Sequence, residues 1–210
     1  MPRPRRPPRV RAKPRVRTRL PPDQRREQLV AVAARLLTEQ GPAHVQIKEL
    51  AEVAGVTRPV VYRFFPTRLA LVEAVLDDFL SDLERRFHGA LIRSLGRPLP
   101  ESAESFIGAC CDTIEAKGLG AWRLMYARGA DVEAARLGQA ALARLLAPWL
   151  PRILELTGLD QQRVETVAAM VVAGGGAALD GWLEGRVKRA AAMRTATRCV
   201  TAILREFSTP

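Results

Sequence analysis

The stretch Ile47-Lys-Glu-Leu-Ala-Glu-Val-Ala-Gly-Val-Thr-Arg-Pro-Val-Val-Tyr-Arg-Phe-Phe65 decides the fold. Its first half predicts a short helix, from about Gln46 to Ala54, that breaks at Gly55. Glycine supplies the turn there, where a positive φ is expected. Thr57 can cap a second short helix, and Pro59 is tolerated in its first turn. Ala51 is small enough for the two helices to approach closely. Val61, six residues after Gly55, is expected to pack back between them, with Leu50, Val53 and Val56 completing a small core. Two short helices packed steeply across a tight turn form a helix-turn-helix, whose second helix reads duplex DNA. Thr57, Arg58, Pro59, Tyr62 and Arg63 would face outward from that helix.

Upstream of the motif, Leu29, Val32, Ala33, Leu36 and Leu37 recur at helical spacing. Asp23 is a candidate cap for that helix, and Gly41-Pro42 a stop. Downstream, Pro66 closes the second motif helix, expected over 58–64. Thr67 can cap a long amphipathic helix over about 67–95, with Leu71, Val72, Val75, Leu76, Phe79, Leu83 and Phe87 on one broad face. Further helices are expected over 101–117, 120–128, 131–157, 160–185 and 189–207. Pro148 and Pro151 should kink the helix that contains them. No Val/Thr/Tyr-rich alternating run predicts a strand. The chain is therefore expected to be all-α. Residues 23–68 would form the DNA-binding domain and 69–210 an effector-binding and dimerisation domain.

From about Arg25 to Val75 the chain closely resembles the TetR (tetracycline-repressor) family. The resemblance rests on the apolar first helix ending in Gln40-Gly41, the helix-turn-helix, and Tyr62-Arg63-Phe64-Phe65-Pro66-Thr67-Arg68 leading into a long helix. It implies that Arg58 and Pro59 face base edges, with Arg58 suited to guanine. Tyr62 would touch backbone phosphates and sugars. Thr57 and Arg68 would hold phosphates, Arg68 standing where the family usually has Lys. Lys48, near the start of the first motif helix, is a further phosphate candidate. Two departures stand out: Gln46 replaces a usual capping Thr, and Phe64 a frequent His.

The charge is distributed unevenly. Residues 1–22 hold eight Arg, Lys13 and seven Pro, with no acid. The rest of the chain has 24 basic and 22 acidic residues and is nearly neutral. An extended basic arm suits a polyanion. Arg15, Arg17 and Arg19, nearest the folded unit, are its candidate minor-groove contacts, as in homeodomain arms. A solvated tail without function is the alternative.

The last two helices carry apolar residues three and four apart: Val167, Val171, Gly174, Ala178 and Trp182, then Val200, Ile203 and Phe207. Such seams pack helix on helix. The resemblance implies a four-helix homodimer interface made from both copies, and an intrachain core seam is the competing reading. Gly174-Gly175-Gly176 would either permit close helix contact or mark a break. In the family the middle region holds an effector pocket. Phe106, Cys110, Trp122, Met125, Tyr126, Trp149 and Met170 would suit a small, largely apolar ligand, and Arg123 or Arg128 could meet an acidic group.

Other chemistries find little support. His44 and His88 have no ligand-spaced partners, so no metal site is expected. Cys110-Cys111 are expected to be buried core thiols, with soft-metal binding or oxidation sensing as the alternative. No nucleophile–base pair, phosphate loop or paired-carboxylate site is present, so neither an enzyme nor a cofactor is expected. Three cysteines without a disulfide framework point to a reducing cytosol. The longest uncharged stretch, Thr166 to Leu179, is too short to span a bilayer. The expected protein is soluble and cytoplasmic, a ligand-released repressor on a palindromic double-stranded operator. An architectural DNA binder acting through its arm is the alternative.

Overall fold

Proline opens the first helix, α1 (Pro22–Gln40), one residue before the expected Asp23 cap. The fixed φ of proline suits a first helical turn, and its missing N–H leaves nothing unpaired there. Asp23 lies inside that turn, beside the positive helix end. The computed structural model describes residues 20–126, 131–151, 154 and 158–207. Nine α-helices run through the described residues, and none of these forms a strand. The arm, with Arg15, Arg17 and Arg19, lies outside them, as do Arg128 and the side chain of Trp149.

After a 3-10 turn at Pro42–His44 come α2 (Ile47–Ala54) and α3 (Arg58–Tyr62), with Gly55 left-handed at φ 65° between them. The α3 helix stops two residues short of expectation. Phe65 beyond it turns inward and is buried. Val61 and Leu50 are fully buried where α2 packs on α1 and α3, but Val53 is 46% exposed and does not join this core. It lies on the outer side of α2, one turn from Lys48 and Glu49.

The long helix α4 (Arg68–Ser94) starts as expected, with the Thr67 hydroxyl accepting from the Ala70 N–H at 3.0 Å. It packs on α1, on α5 (Leu99–Lys117) and on α7 (Val132–Leu146), so one helix crosses from the helix-turn-helix unit into the body. Between α5 and α7 lies the short α6 (Leu119–Met125), which also touches α1. Pro148 ends α7 rather than kinking it. The chain tightens into a 3-10 turn at Ala147–Trp149, because proline cannot donate to the preceding helical turn. The last two helices, α8 (Gln161–Leu183) and α9 (Arg189–Glu206), form the most extensive helix pair, and α9 also packs on α5.

One buried charge ties α4 internally. Asp82 accepts from Arg86 Nε at 2.6 Å and pairs with Arg85. Burial pushes its carboxyl pKa up, but the bonds and charges of the two guanidiniums outweigh this and hold it below the usual aspartate value.

Candidate nucleic-acid interface

The α2–α3 unit turns a charged face outward. Lys48, Thr57, Arg58, Pro59, Tyr62 and Arg63 are all exposed, with Tyr62 52% accessible. Thr57 occupies the cap position of α3 but makes no capping bond, so the expected cap is absent and its hydroxyl is uncommitted. Gln46, at the corresponding position of α2, instead donates to the Ala43 carbonyl at 2.9 Å. The Arg63 guanidinium sits 5.3 Å from the Phe64 ring centroid and covers that side chain. Arg58 and Lys48 enter no ion pair among the described residues. A short helix presents these residues on a base of fully buried Val61 and Leu50, and this suits insertion into a groove.

Arg68 departs from the phosphate role expected of it. Its side chain is 21% exposed and pairs with Asp131 at the start of α7. It also donates to the Pro42 carbonyl at 2.7 Å. A guanidinium committed to two protein acceptors is not presented to DNA.

Residues 29–75 match the family described as bacterial regulatory proteins, tetR family. The transcriptional activator FasR of Mycolicibacterium smegmatis is 38% identical over 65 residues, which cover 31% of this chain and 30% of that protein. The transcriptional regulator BetI of Agrobacterium fabrum is 28% identical over 159 residues, covering 75% and 74% of the two chains. A tetR-family regulator from Streptomyces coelicolor superposes with a TM-score of 0.58 at 26% identity, over 88% of this chain and 79% of that one. The match to the tetR family model thus lies in the helix-turn-helix region, and the wider likeness is to regulators of that family. A second structure, from Rhodococcus sp., has a TM-score of 0.60 at 18% identity and covers 89% and 100%, which extends the likeness of fold into the body.

The body gathers some of the expected effector residues and disperses others. Cys110, Trp122 and Met125 are buried together in the core, and Trp122 meets the half-buried Tyr126 at 5.0 Å between centroids. Phe106 stands edge-on to Phe87 at 5.2 Å. Met170 is not with them: it is 43% exposed on α8. Burial raises the Cys110 thiol and the Tyr126 hydroxyl well above their ordinary pKa values, and pushes Cys111 up to about 11 against the opposing pull of Arg189. These groups are neutral at physiological pH. No group of three or more His, Cys, Asp or Glu is placed to hold a metal among the described residues.

The glycine triplet leaves α8 unbroken and brings neighbours close. A Cβ at Gly174 would lie 2.8 Å from Cys199 Sγ, one at Gly175 3.3 Å from Val200, and one at Gly176 3.1 Å from the Tyr126 ring. Sequence reasoning missed that Gly176 receives Tyr126. It also misplaced part of the dimer seam. Val167 and Val200 are buried within the chain, and Gly174 is enclosed by Cys199 and Ile203. Val171, Ala178, Trp182, Ile203 and Phe207 are half-buried on the same intrachain side or its margins. The face of α8 that remains open carries Thr166, Ala169, Met170, Ala173 and Ala177. Its spacing also follows the helical period, so a second apolar stripe was there to be found.

Proposed function

We propose that this protein is a DNA-binding transcriptional regulator that acts as a homodimer on a palindromic operator and represses until a small, largely apolar ligand releases it. The observation that carries this reading is the outward face of α2–α3, where Arg58, Pro59 and Tyr62 stand exposed and Lys48 and Thr57 flank them without competing partners. Arg58 would read a base, and Lys48 and Thr57 would hold the backbone. The basic arm at 1–22 would add affinity through counterion release with coarse sequence reading.

The homodimer reading draws on α8. By length and composition this helix could cross a bilayer, yet most of its apolar stretch is not buried within the chain. A second copy packed on Ala169, Met170, Ala173 and Ala177 would remove that surface from water, and a two-fold dimer matches a two-fold site. The effector reading draws on Trp122, Met125 and Cys110. They are tightly enclosed, so a ligand would have to part Tyr126 from α8 and would act through its higher affinity for the opened state.

The test is unbiased selection of duplex sites with the full-length chain, followed by reporter expression and a ligand screen for release. An enriched inverted repeat is expected. Retention of DNA without sequence enrichment would favour the architectural reading. FasR is named an activator, so the reporter also measures the sign of control.

A further inference from the structure

The helix-turn-helix is held at both ends by the body. At its entry, the Gly120 N–H of α6 donates to the Thr38 hydroxyl at 3.1 Å, and that hydroxyl donates to the Ala34 carbonyl at 2.9 Å. The contact is backbone on backbone: a Cβ at Gly120 would lie 2.7 Å from the Thr38 nitrogen. At its exit, Arg68, the first residue of α4, reaches both Asp131, the cap of α7, and the Pro42 carbonyl. Both holding points belong to one plate, since α6 and α7 pack on each other and a Cβ at Gly138 would run into the Leu124 carbonyl.

The exit contact is poorly arranged for stability alone. Arg68 Nη2 makes both bonds, while the buried Nε has no hydrogen-bond partner. A partly buried ion pair gains little net stability after desolvation, and its best-attested use is to fix geometry. Asp131 is itself held in place, accepting the Ala134 N–H at 3.1 Å.

We propose that Asp131 is a positioning residue for DNA binding: through Arg68 it fixes the angle at which the helix-turn-helix leaves the body. This rests on the DNA-binding reading above. In a two-fold dimer a small change of that angle is carried to both recognition helices, so the loss should appear as operator affinity rather than as unfolding.

The experiment compares the full-length protein with D131N, R68A, R68K and the double variant R68A/D131N on the selected operator across a salt series. Asparagine can still cap α7, so D131N removes the charge and keeps the helix start. D131N and R68A should each weaken operator binding roughly tenfold, the double variant no more than either alone, with the salt slope unchanged. R68K should recover most of the affinity by keeping the ion pair. A salt slope lower by about one for R68A, with D131N unaffected, would make Arg68 a phosphate ligand and overturn the proposal. Amide exchange in the free protein supplies a readout without DNA. D131N should raise exchange over 42–47 and at the start of α7 while the melting temperature holds. Unchanged exchange there overturns the proposal even if the chain binds no operator, whereas raised exchange without operator binding refutes only the DNA-binding reading.

Discussion

The α2–α3 unit and the α8–α9 pair are both helix pairs closed over small residues, and they differ in what their outer faces disclose. In α2–α3 the inner side is Leu50, Ala51 and Val61, and the outer side is Lys48, Arg58, Tyr62 and Arg63. Inside and outside are chemically distinct, so the outer face names its partner as a polyanion. In α8–α9 the inner side is Val164, Val167, Leu179, Ala196 and Val200, and the outer side of α8 is Ala169, Met170, Ala173 and Ala177. Both sides are apolar. Periodicity locates each stripe but cannot say which one is core and which awaits a second copy.

The largest expected effect tests that assignment directly. Val200→Glu would bury a carboxylate between α8, α9 and α5 and should cost roughly 3 kcal/mol or more, giving an unfolded or aggregating chain. Ala173→Glu places the same charge on the open face of α8. It should leave helical content intact and shift the protein from dimer to monomer. Sedimentation and circular dichroism on the two variants separate the outcomes. Folded monomers from Val200→Glu, with dimers from Ala173→Glu, would mean that the two faces have been exchanged.

What was legible in the sequence follows the same division. The turn at Gly55, the inward Val61, the Thr67 cap and the Gly41 stop depend on residues a few positions away, and each stands where the chain predicts it. Val53 was misplaced because α2 is so short that one turn decides between core and rim. Arg68 was misassigned because its partners, Pro42 and Asp131, are 26 and 63 residues distant. Nothing local marks a basic residue at that place as one that pairs within the chain. The end of α7 at Pro148 was local but equivocal, since proline kinks some helices and stops others.

A second pair of substitutions sharpens the contrast within the DNA-facing side. Arg58→Ala should cost about 1–3 kcal/mol on the selected operator and relax preference at one position in each half-site. Lys48→Ala should weaken operator and random duplex alike and lower the salt slope by about one. Titrations on both duplexes, at several salt concentrations, measure this. An equal loss on both duplexes for Arg58→Ala would remove it from base reading.

The smallest effect separates two threonines that look alike in sequence. Each precedes a helix, and each was expected to cap it. Thr67 does so, accepting the Ala70 N–H at 3.0 Å, whereas the Thr57 hydroxyl accepts nothing from α3. Losing a working cap costs about 1 kcal/mol, so Thr67→Ala should lower the melting temperature by roughly 2–4 °C for a chain of this size. Thr57→Ala removes no internal bond and should change stability by no more than about 0.5 kcal/mol. The hydroxyl left over at Thr57 lies beside Arg58 on the exposed face, where a phosphate oxygen is the natural acceptor. DNA binding should therefore reverse the ranking, with Thr57→Ala weakening the operator complex more than Thr67→Ala does. Thermal melts and operator titrations on the two variants decide it. If Thr57→Ala melts as early as Thr67→Ala and binds DNA normally, its hydroxyl belongs to the helix after all, and the uncommitted face shrinks to the charged residues alone.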